Sequence, residues 1–372
     1  MIDGIFVIDA VAHAYDFSDE NRIASCDPER YAGLQHFAYQ LGHFSTESLE
    51  PGYMLTEKEF TARWHAEDLA NVFFVESDVD MIVHHSVAIS SFSRDGVARF
   101  DTGVELKRIA PDRVLLYGCV DTFDEDRGRV FDSMERMVEQ GAVGFKFYPS
   151  NGFFDVSKHK LVQMLYDDPE RAFPFFEKAR ELGVMHLAFH KAQPVGPGPV
   201  EAVHYEDIST AALAFPDMTF EVVHAGWAFL EEAGIQLMLH DNIYANLECV
   251  VNLVVRNPRR FAHIIGTLLR YGGPERILYA TGCAVNHSDP ILERFMAFEM
   301  PGDLVDGYGY PELTAEVKRL MLGANIARIH GIDIPAVERK ISADDWSRRR
   351  AAGKARPWSA HRTRLAGARA AS

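Results

Sequence analysis

The segment TFEVVHAGWAF (residues 219–229) combines the features of a buried parallel strand and of a functional loop. Its first five residues are largely apolar or β-branched, as in a strand that is covered on both faces. His224 follows this run, and Gly226 allows the backbone to approach a site before Trp227 begins a helix. Because functional groups of α/β proteins lie at the carboxyl ends of strands, the segment predicts a βα unit with His224 at its functional end.

Eight runs of this type alternate with helical patterns along the chain. Amphipathic segments such as EDRGRVFDSMERMVEQG (125–141) and PERAFPFFEKARELG (169–183) end at a glycine, where a helix C-cap belongs. The first run lacks a following glycine-rich phosphate loop, so the pattern favours a (β/α)8 TIM barrel over an open doubly wound sheet. The eight runs are IFVIDAVAH (5–13), DMIVHHSVA (80–88), RVLLYGCVD (113–121), GFKFYP (144–149), VMHLAFH (184–190), TFEVVHAG (219–226), NIYANLE (242–248) and RILYATG (276–282).

Two segments between strands are too long for ordinary βα loops and distort the predicted barrel. Residues 14–55 follow the first strand and residues 150–168 follow the fourth, so both are predicted to lie over the mouth as lids. The barrel domain is predicted over residues 1–346. Residues 347–372 contain eight Arg or Lys, no Asp or Glu and no apolar stripe, which predicts a disordered basic tail.

Composition restricts the class of protein. The 372 residues are 47% hydrophobic and 25% charged, as in ordinary globular proteins, and the net charge of −16 disfavours nucleic acid as a partner. No apolar run approaches the roughly 20 residues of a membrane span, and Asp3 and Asp9 interrupt the first one, so we expect a cytoplasmic protein without membrane contact. Four scattered cysteines predict neither a disulfide framework nor a zinc ribbon.

Histidine recurs at the predicted strand ends. Because the strand ends of a barrel converge on one mouth, these rings are predicted to share a site. Neutral imidazole binds Zn, Fe and Mn, and imidazole also titrates near neutral pH, so the pattern indicates either metal binding or proton transfer. The histidines at or just after strand ends are His13, His84, His85, His190, His224 and His287.

In their order and spacing, these segments resemble the amidohydrolase superfamily, in particular the amidohydrolase-2 branch that includes aminocarboxymuconate-semialdehyde decarboxylase. The resemblance covers about residues 5–335 and implies a TIM barrel. The branch contains decarboxylases as well as lactone and carbon–carbon bond hydrolases. The matching segments are IDAVAH (8–13), where the family has D-x-H-x-H, followed by GFKFYP, HLAFH (186–190), EVVHAGW (221–227), NIYANLE, RILYATG and MLGANIARIHGID (321–333).

The resemblance also implies a divalent metal, which two histidines of strand one, a histidine of strand five and an aspartate of strand eight would bind. The corresponding positions here are Val11, His13, His190 and Gly282. Valine and glycine offer no donor atom, so two of the four implied ligands are missing. The resemblance therefore implies an incomplete or altered metal site.

Three histidines form the predicted reaction centre. His13, His190 and His224 together offer three imidazoles, which is the number of protein ligands in many catalytic zinc sites. The resemblance implies that His224 activates water or substrate. A site without metal is the alternative, in which His224 or His190 acts as general base and Lys146 or Lys191 stabilises developing negative charge.

The predicted function is that of a hydrolase acting on a small acyl, lactone or aromatic-derived substrate. A lyase on the same scaffold, either a non-oxidative decarboxylase or a hydratase, is an alternative, as is a non-catalytic barrel that binds a small molecule. Members of the branch are frequently dimers, so a homodimer is compatible with the resemblance. Glu248 and Cys283 are also candidate metal donors, and the candidate substrate contacts are Tyr148, Trp227, Glu248, Cys283 and His287.

Overall fold

Eight parallel strands form one sheet that curves into a barrel. The computed structural model describes residues 1–46, 49–155, 160–194 and 200–371. Its strands are β1 (Ile8–Ala12), β2 (Met81–His85), β3 (Val114–Cys119), β4 (Ala142–Phe147), β5 (Ser150–Asp155), β6 (Lys160–Gln163), β7 (His186–His190), β8 (Thr219–Val223), β9 (Ile243–Asn246) and β10 (Ile277–Leu278). The sheet order is β1-β2-β3-β4-β7-β8-β9-β10, with β5 and β6 paired separately. Each predicted run overlaps one barrel strand, so the predicted (β/α)8 barrel is confirmed.

The barrel closes between β1 and the chain that follows β10. The Ala10 amide donates to the Tyr279 carbonyl at 3.0 Å, and the His13 amide donates to the Cys283 carbonyl at 2.6 Å. These hydrogen bonds continue the sheet beyond the two residues of β10. The first and last strands are therefore joined, and their carboxyl ends meet at the mouth.

The helices surround the barrel, and α10 illustrates why they form. The Asn257 side chain accepts from the Arg260 amide, Pro258 takes the first helical position, and Gly273 follows the last. In the described part of the chain, no helix combines the length and the apolar character needed to cross a membrane. The helices are α1 (Pro28–Thr46), α2 (Glu57–Thr61), α3 (Ala66–Phe74), α4 (Phe100–Ile109), α5 (Arg127–Glu139), α6 (Phe173–Glu181), α7 (Glu206–Ala214), α8 (Leu230–Leu239), α9 (Leu253–Arg256), α10 (Pro258–Gly272), α11 (Ser288–Ala297), α12 (Gly302–Tyr308), α13 (Ala315–Arg319), α14 (Asn325–Ile329), α15 (Ile334–Ile341), α16 (Asp345–Ala351) and α17 (Ser359–Ala371).

The barrel interior contains a buried carboxyl group, Glu221, among apolar side chains. The Tyr117 hydroxyl lies 3.3 Å from Glu221 Oε2, and the Asn246 amide donates to the other carboxyl oxygen. Burial raises the pKa of Glu221 to about 7. Both oxygens are thus hydrogen-bonded within the barrel, below the mouth.

The long segments after β1 and β4 contain regular structure. The segment 14–55 includes α1, whose Ala38 and Leu41 line a pocket at the mouth, while residues 47 and 48 lie outside the described residues. The segment 150–168 includes the β5–β6 hairpin, of which residues 156–159 lie outside the described residues. That either segment acts as a lid stays a prediction.

The predicted disorder of residues 347–372 is wrong for the described residues up to 371. α16 and α17 pack on the barrel, and Trp358 between them is 1% exposed. Its indole Nε1 donates to the Tyr53 carbonyl at 2.9 Å, and its amide donates to Glu76 Oε2 at 2.7 Å. Individual side-chain contacts hold this tail in place, and it has no periodic apolar stripe. Its composition therefore indicates disorder although Trp358 is part of the core.

Basic side chains of the tail also bind the chain before α3. The His361 ring stacks on Trp64 with centroids 3.8 Å apart. Arg362 donates to the Met54 carbonyl at 2.7 Å, and Arg364 donates to Asp68 Oδ2 at 2.6 Å. Because these partners span residues 52–68, the tail fixes the segment that carries α2.

Gly323 lies where a helical turn at Leu320–Ala324 touches the start of the chain. A Cβ at this position would lie 2.3 Å from the Phe6 carbonyl oxygen, which is too close for any real contact. We expect Gly323→Ala to lower the free energy of unfolding by about 1–3 kcal/mol, because the backbone must shift. Urea unfolding measures this change.

The matched control is Gly33→Ala in α1, where an added Cβ meets no atom within 4 Å. Alanine favours helix over glycine by up to about 1 kcal/mol, so this variant should be at least as stable as the parent protein. Equal losses of stability in the two variants would contradict the packing argument.

Candidate active site

A cavity of about 130 Å³ lies at the carboxyl ends of the barrel strands. Aromatic and aliphatic side chains form most of its wall, with Tyr15, Phe17, Phe60 and Tyr148 as the rings. Such a mostly apolar cavity with a few convergent polar groups is typical of small-molecule sites. Its polar lining residues are His13, Tyr15, Tyr148, His190, Gln193, His224, Glu248 and Cys249.

His13 directly follows β1, and both of its ring nitrogens have partners. Nδ1 lies 2.9 Å from the His85 carbonyl oxygen, which can only accept, so Nδ1 carries a proton. Nε2 lies 3.0 Å from Glu248 Oε1. The backbone of β2 therefore fixes the ring so that its other nitrogen points at the carboxylate.

His224 follows β8 in a left-handed conformation with φ of 64°, which is unusual for a residue other than glycine. Its Nδ1 donates to the Glu248 carbonyl oxygen at 3.0 Å, and its Nε2 lies 3.5 Å from Glu248 Oε2. Burial lowers the pKa of His224 to about 4. The imidazole is therefore neutral near pH 7, with the lone pair on Nε2.

His190 ends β7 next to His224. Its Nε2 donates to the Gln193 carbonyl at 2.6 Å, and its buried Nδ1 has no hydrogen-bond partner among the described residues. The ring centroid lies 4.6 Å from that of His224 and 4.8 Å from that of Tyr148. Burial, His224 and Lys146 hold the pKa of His190 well below its usual value. His190 thus offers a free nitrogen lone pair.

Glu248 follows β9 and connects these groups. Its carboxylate contacts His13 and His224, and Lys146 Nζ lies 3.9 Å from Oε2. Burial opposes ionisation, but contacts with His224, His13 and Lys146 hold the pKa of the Glu248 carboxyl well below its usual range. The site therefore has one ionised carboxylate at its centre.

Lys146 on β4 lies behind this carboxylate and is completely buried. Its Nζ has no hydrogen-bond partner within the described part of the chain and lies 5.4 Å from the centroid of the Tyr148 ring. Burial lowers the pKa of Lys146. Lys146 does not line the pocket, so it acts on groups in the pocket through electrostatic interaction alone.

Of the predicted substrate contacts, Tyr148 and Glu248 line the pocket, whereas Trp227 and Cys283 do not. Trp227 is half-buried, and the Arg260 guanidinium lies 5.7 Å from its ring. The side chain of Cys283 is buried, and its carbonyl accepts from the His13 amide, so this residue aligns β1. Position near a strand end therefore did not place either side chain in the pocket.

The prediction that His287 contacts substrate is also not supported by its position. Its Nε2 lies 3.0 Å from Glu76 Oε2, and its Nδ1 accepts from the Asp289 amide at the start of α11. The ring lies edge-on to Trp358 with centroids 4.6 Å apart. Hydrogen bonds to a buried carboxylate and to a helix N-terminus give His287 a structural role.

Several pocket residues were not predicted. Cys249 directly follows Glu248, and Tyr15 lies two residues after His13, so the strand-end rule could have found both. Phe17 and Phe60 come from the segments around α1 and α2. Nothing in their local sequence distinguishes these two rings from core residues.

The residues present fit a divalent metal, although Val11 and Gly282 offer no side-chain donor. Each of the three histidines donates one ring N–H to a backbone carbonyl, which leaves His13 Nε2, His190 Nδ1 and His224 Nε2 without that proton. Such outer hydrogen bonds commonly orient metal-binding imidazoles. Donor atoms of His224, Glu248 and Cys249 also lie within 4.8 Å of one another. This donor set suits Zn or Mn.

A barrel with convergent histidines at the carboxyl ends of its strands has the architecture of the TIM-barrel enzymes. The family model described as amidohydrolase matches residues 8–332, and the chain belongs to this family. The resemblance seen in the sequence is thereby confirmed. A search of curated proteins gave no match.

Solved structures show the same fold at low sequence identity. An uncharacterised TIM-barrel protein from Bordetella bronchiseptica is 16% identical, with 88% of this chain and 99% of that chain covered and a TM-score of 0.58. A manganese-bound 5-carboxyvanillate decarboxylase from Novosphingobium aromaticivorans is 13% identical, with coverages of 87% and 97% and a TM-score of 0.54. A probable 2-pyrone-4,6-dicarboxylic acid hydrolase from Acinetobacter baumannii is 12% identical, with coverages of 87% and 99% and a TM-score of 0.51.

Proposed function

We propose that the protein is a hydrolase that cleaves an acyl, lactone or related bond in a small, aromatic-derived substrate. The observation that carries this proposal is the orientation of His224. Its Nδ1–H is committed to the Glu248 carbonyl, so Nε2 is left on the pocket side to accept a proton from water. Membership of the amidohydrolase family supports bond cleavage as the type of reaction.

The other polar residues support this role of His224. His13 and Glu248 fix each other at 3.0 Å, and the Lys146 ammonium behind them stabilises negative charge that develops in the pocket. His13, His190 and Glu248 are the residues that would hold a divalent metal, which leaves His224 free for proton transfer. The metal would supply Lewis acidity toward water and the substrate carbonyl.

The pocket wall supports a small and largely apolar substrate. Tyr15, Phe17, Phe60 and Tyr148 present ring surfaces to a cavity of about 130 Å³. Aromatic side chains favour offset or edge contacts with a ligand ring, which suits a monocyclic substrate. We therefore expect a single ring or a short acyl group at the reaction centre.

A lyase is the second candidate because of Lys146. Its buried Nζ lies behind the Glu248 carboxylate, so its positive charge would favour a substrate carboxylate in the pocket without direct contact. The decarboxylase from Novosphingobium aromaticivorans has the same fold. A non-oxidative decarboxylase would release CO₂ without net uptake of water.

One experiment separates the candidates. Aromatic lactones, aromatic esters and hydroxybenzoates are incubated with the protein and saturating Mn or Zn in water enriched in ¹⁸O. A hydrolase incorporates ¹⁸O into the product acid, whereas a decarboxylase releases CO₂. Binding of these compounds without turnover, unaffected by His224→Ala, would instead favour a non-catalytic barrel. A cytoplasmic location, a homodimer and the absence of a nucleic-acid partner stay predictions.

A further inference from the structure

A side chain at position 282 would compete with Glu248 for the same space in the site. The family position for a strand-eight aspartate is occupied here by Gly282, which has φ of 71°. A Cβ on this residue would lie 3.0 Å from Glu248 Cγ, 3.1 Å from Glu248 Oε1 and 3.1 Å from Cys249 Sγ. The Glu248 side chain therefore fills the volume into which a strand-eight side chain would project.

We propose that Glu248 replaces the strand-eight aspartate as the carboxylate ligand of a divalent cation, and that Gly282 is the residue that makes room for it. The inference rests on the proposed function in placing the cation at the reaction centre. It differs from the metal site implied by the family, because the carboxylate comes from the strand before and no second histidine is present at Val11.

The hydrogen bonds around Glu248 support a bound cation. Nδ1 of His13 and Nδ1 of His224 each donate to a backbone carbonyl, so both Nε2 atoms face the Glu248 carboxylate. These two nitrogens lie 3.0 and 3.5 Å from the oxygens of Glu248, and the 3.0 Å contact of His13 is a hydrogen bond. His190 Nδ1 is buried beside this group and has no hydrogen-bond partner among the described residues, so imidazole and carboxylate donor atoms converge here.

Lys146 lies near the Glu248 carboxylate but too far away to donate a hydrogen bond to it. Lys146 Nζ lies 3.9 Å from Glu248 Oε2, and this oxygen has no hydrogen-bond partner among the described residues. Glu248 is 3% exposed, and an unsatisfied carboxylate oxygen at this depth is costly. A divalent cation bound by Glu248 together with His13 and His190 would remove this cost.

The donor chemistry indicates the class of cation. Imidazole nitrogen together with carboxylate oxygen suits Zn and Mn, whereas an all-oxygen site would favour Mg or Ca. Cys249 Sγ also lies beside the site, but thiolate is a softer ligand than Mn prefers. We therefore expect Cys249→Ser to keep most of the affinity for Mn.

Metal affinity of the purified full chain tests the proposal directly. Protein stripped with a chelator is titrated with Mn or Zn in competition with a chromogenic chelator, and bound metal is counted by elemental analysis. Glu248→Gln keeps the side-chain volume and removes the charge, and we expect it to weaken binding more than about 100-fold. Glu221→Gln is the matched control, since this buried carboxyl is satisfied by Tyr117 and Asn246, and its affinity should stay within about threefold of the parent protein.

Moving the carboxylate from position 248 to position 282 distinguishes a metal ligand from a carboxylate with only a structural role. Glu248→Ala vacates the volume beside Gly282, so Gly282→Asp in that background should regain at least about tenfold in affinity over Glu248→Ala alone. Gly282→Asp in the parent protein should lose both thermal stability and affinity, because its side chain meets Glu248. Aspartate is among the residues that tolerate a left-handed backbone, and the absorption spectrum of the Co-substituted protein reports ligand changes in every variant that folds.

Three outcomes would overturn the proposal. They are a parent protein that binds no stoichiometric Mn or Zn, a Glu248→Gln variant that binds as the parent protein does, and a folded double variant that binds no better than Glu248→Ala. Turnover is also measured on the same preparations, so that failure of the metal-ligand proposal can be distinguished from failure of the proposed function. A parent protein that hydrolyses substrate without metal retains the function and loses the assignment of Glu248 as a ligand.

Discussion

Replacing His224 by asparagine should reduce the turnover number by about 10²–10⁴-fold, the range usual for loss of a general base. The asparagine amide can still donate to the Glu248 carbonyl, as Nδ1 does at 3.0 Å, but it places no proton acceptor at the position of Nε2. Asparagine also tolerates the left-handed backbone at this position, so the fold should be kept. Turnover is measured on the best substrate of the ¹⁸O experiment, with kcat and KM determined separately.

The control for this variant is Trp227→Phe. Trp227 lies three residues after His224 but outside the pocket wall, so kcat should change by less than about threefold. A His224→Asn protein that is folded and binds metal but keeps parental kcat would show that another group accepts the proton. An equal loss in both variants would point instead to a disturbed loop after β8.

Removing the tail should be the most destabilising change in the molecule. Trp358→Ala should lower the free energy of unfolding by about 3–5 kcal/mol, the usual cost of truncating a buried aromatic residue. Deletion of residues 357–372 should cost more, since Glu59, Met54 and Asp68 also lose their contacts with the tail. Chemical denaturation monitored by circular dichroism measures both losses.

The tail deletion should also weaken substrate binding, because the tail holds the segment that carries Phe60. The His361 Nε2 donates to the Glu59 carbonyl oxygen at 2.8 Å, next to Phe60 in the pocket wall, and its Nδ1 lies 3.2 Å from Asp68 Oδ2. We expect a higher KM in the deletion variant at a temperature where it is still folded. Arg356→Ala is the control, since this exposed side chain should change stability by less than about 0.5 kcal/mol. A deletion variant with parental stability would contradict the packing of Trp358.

The barrel could be predicted from sequence because its signal is local. Each strand is a short apolar run, and a helical pattern with a terminal glycine follows several of them, so the order of elements is visible without any tertiary contact. The strand-end rule likewise identified His13, His190 and His224, which the structure brings to one pocket. That rule states only where a residue lies along the strand axis.

What the sequence could not show depends on contacts between distant segments. The rule failed for His287 and Cys283, because the chain after β10 turns their side chains away from the cavity. The central position of Glu248 follows from its contacts with β1, β4 and β8, which no local pattern reveals. Disorder was predicted for the tail because composition does not show that Trp358 has a matching site between Tyr53 and Glu76.

The packing of α17 has a consequence for the order in which the chain acquires its structure during translation. Residues 52–68 leave the ribosome early, yet their partners Trp358, His361, Arg362 and Arg364 are synthesised only after every barrel strand. The segment with Phe60 therefore cannot reach its final anchoring while the strands are being made. Nascent chains arrested before Trp358 should be cleaved by protease within this segment, and extension beyond Arg364 should protect it.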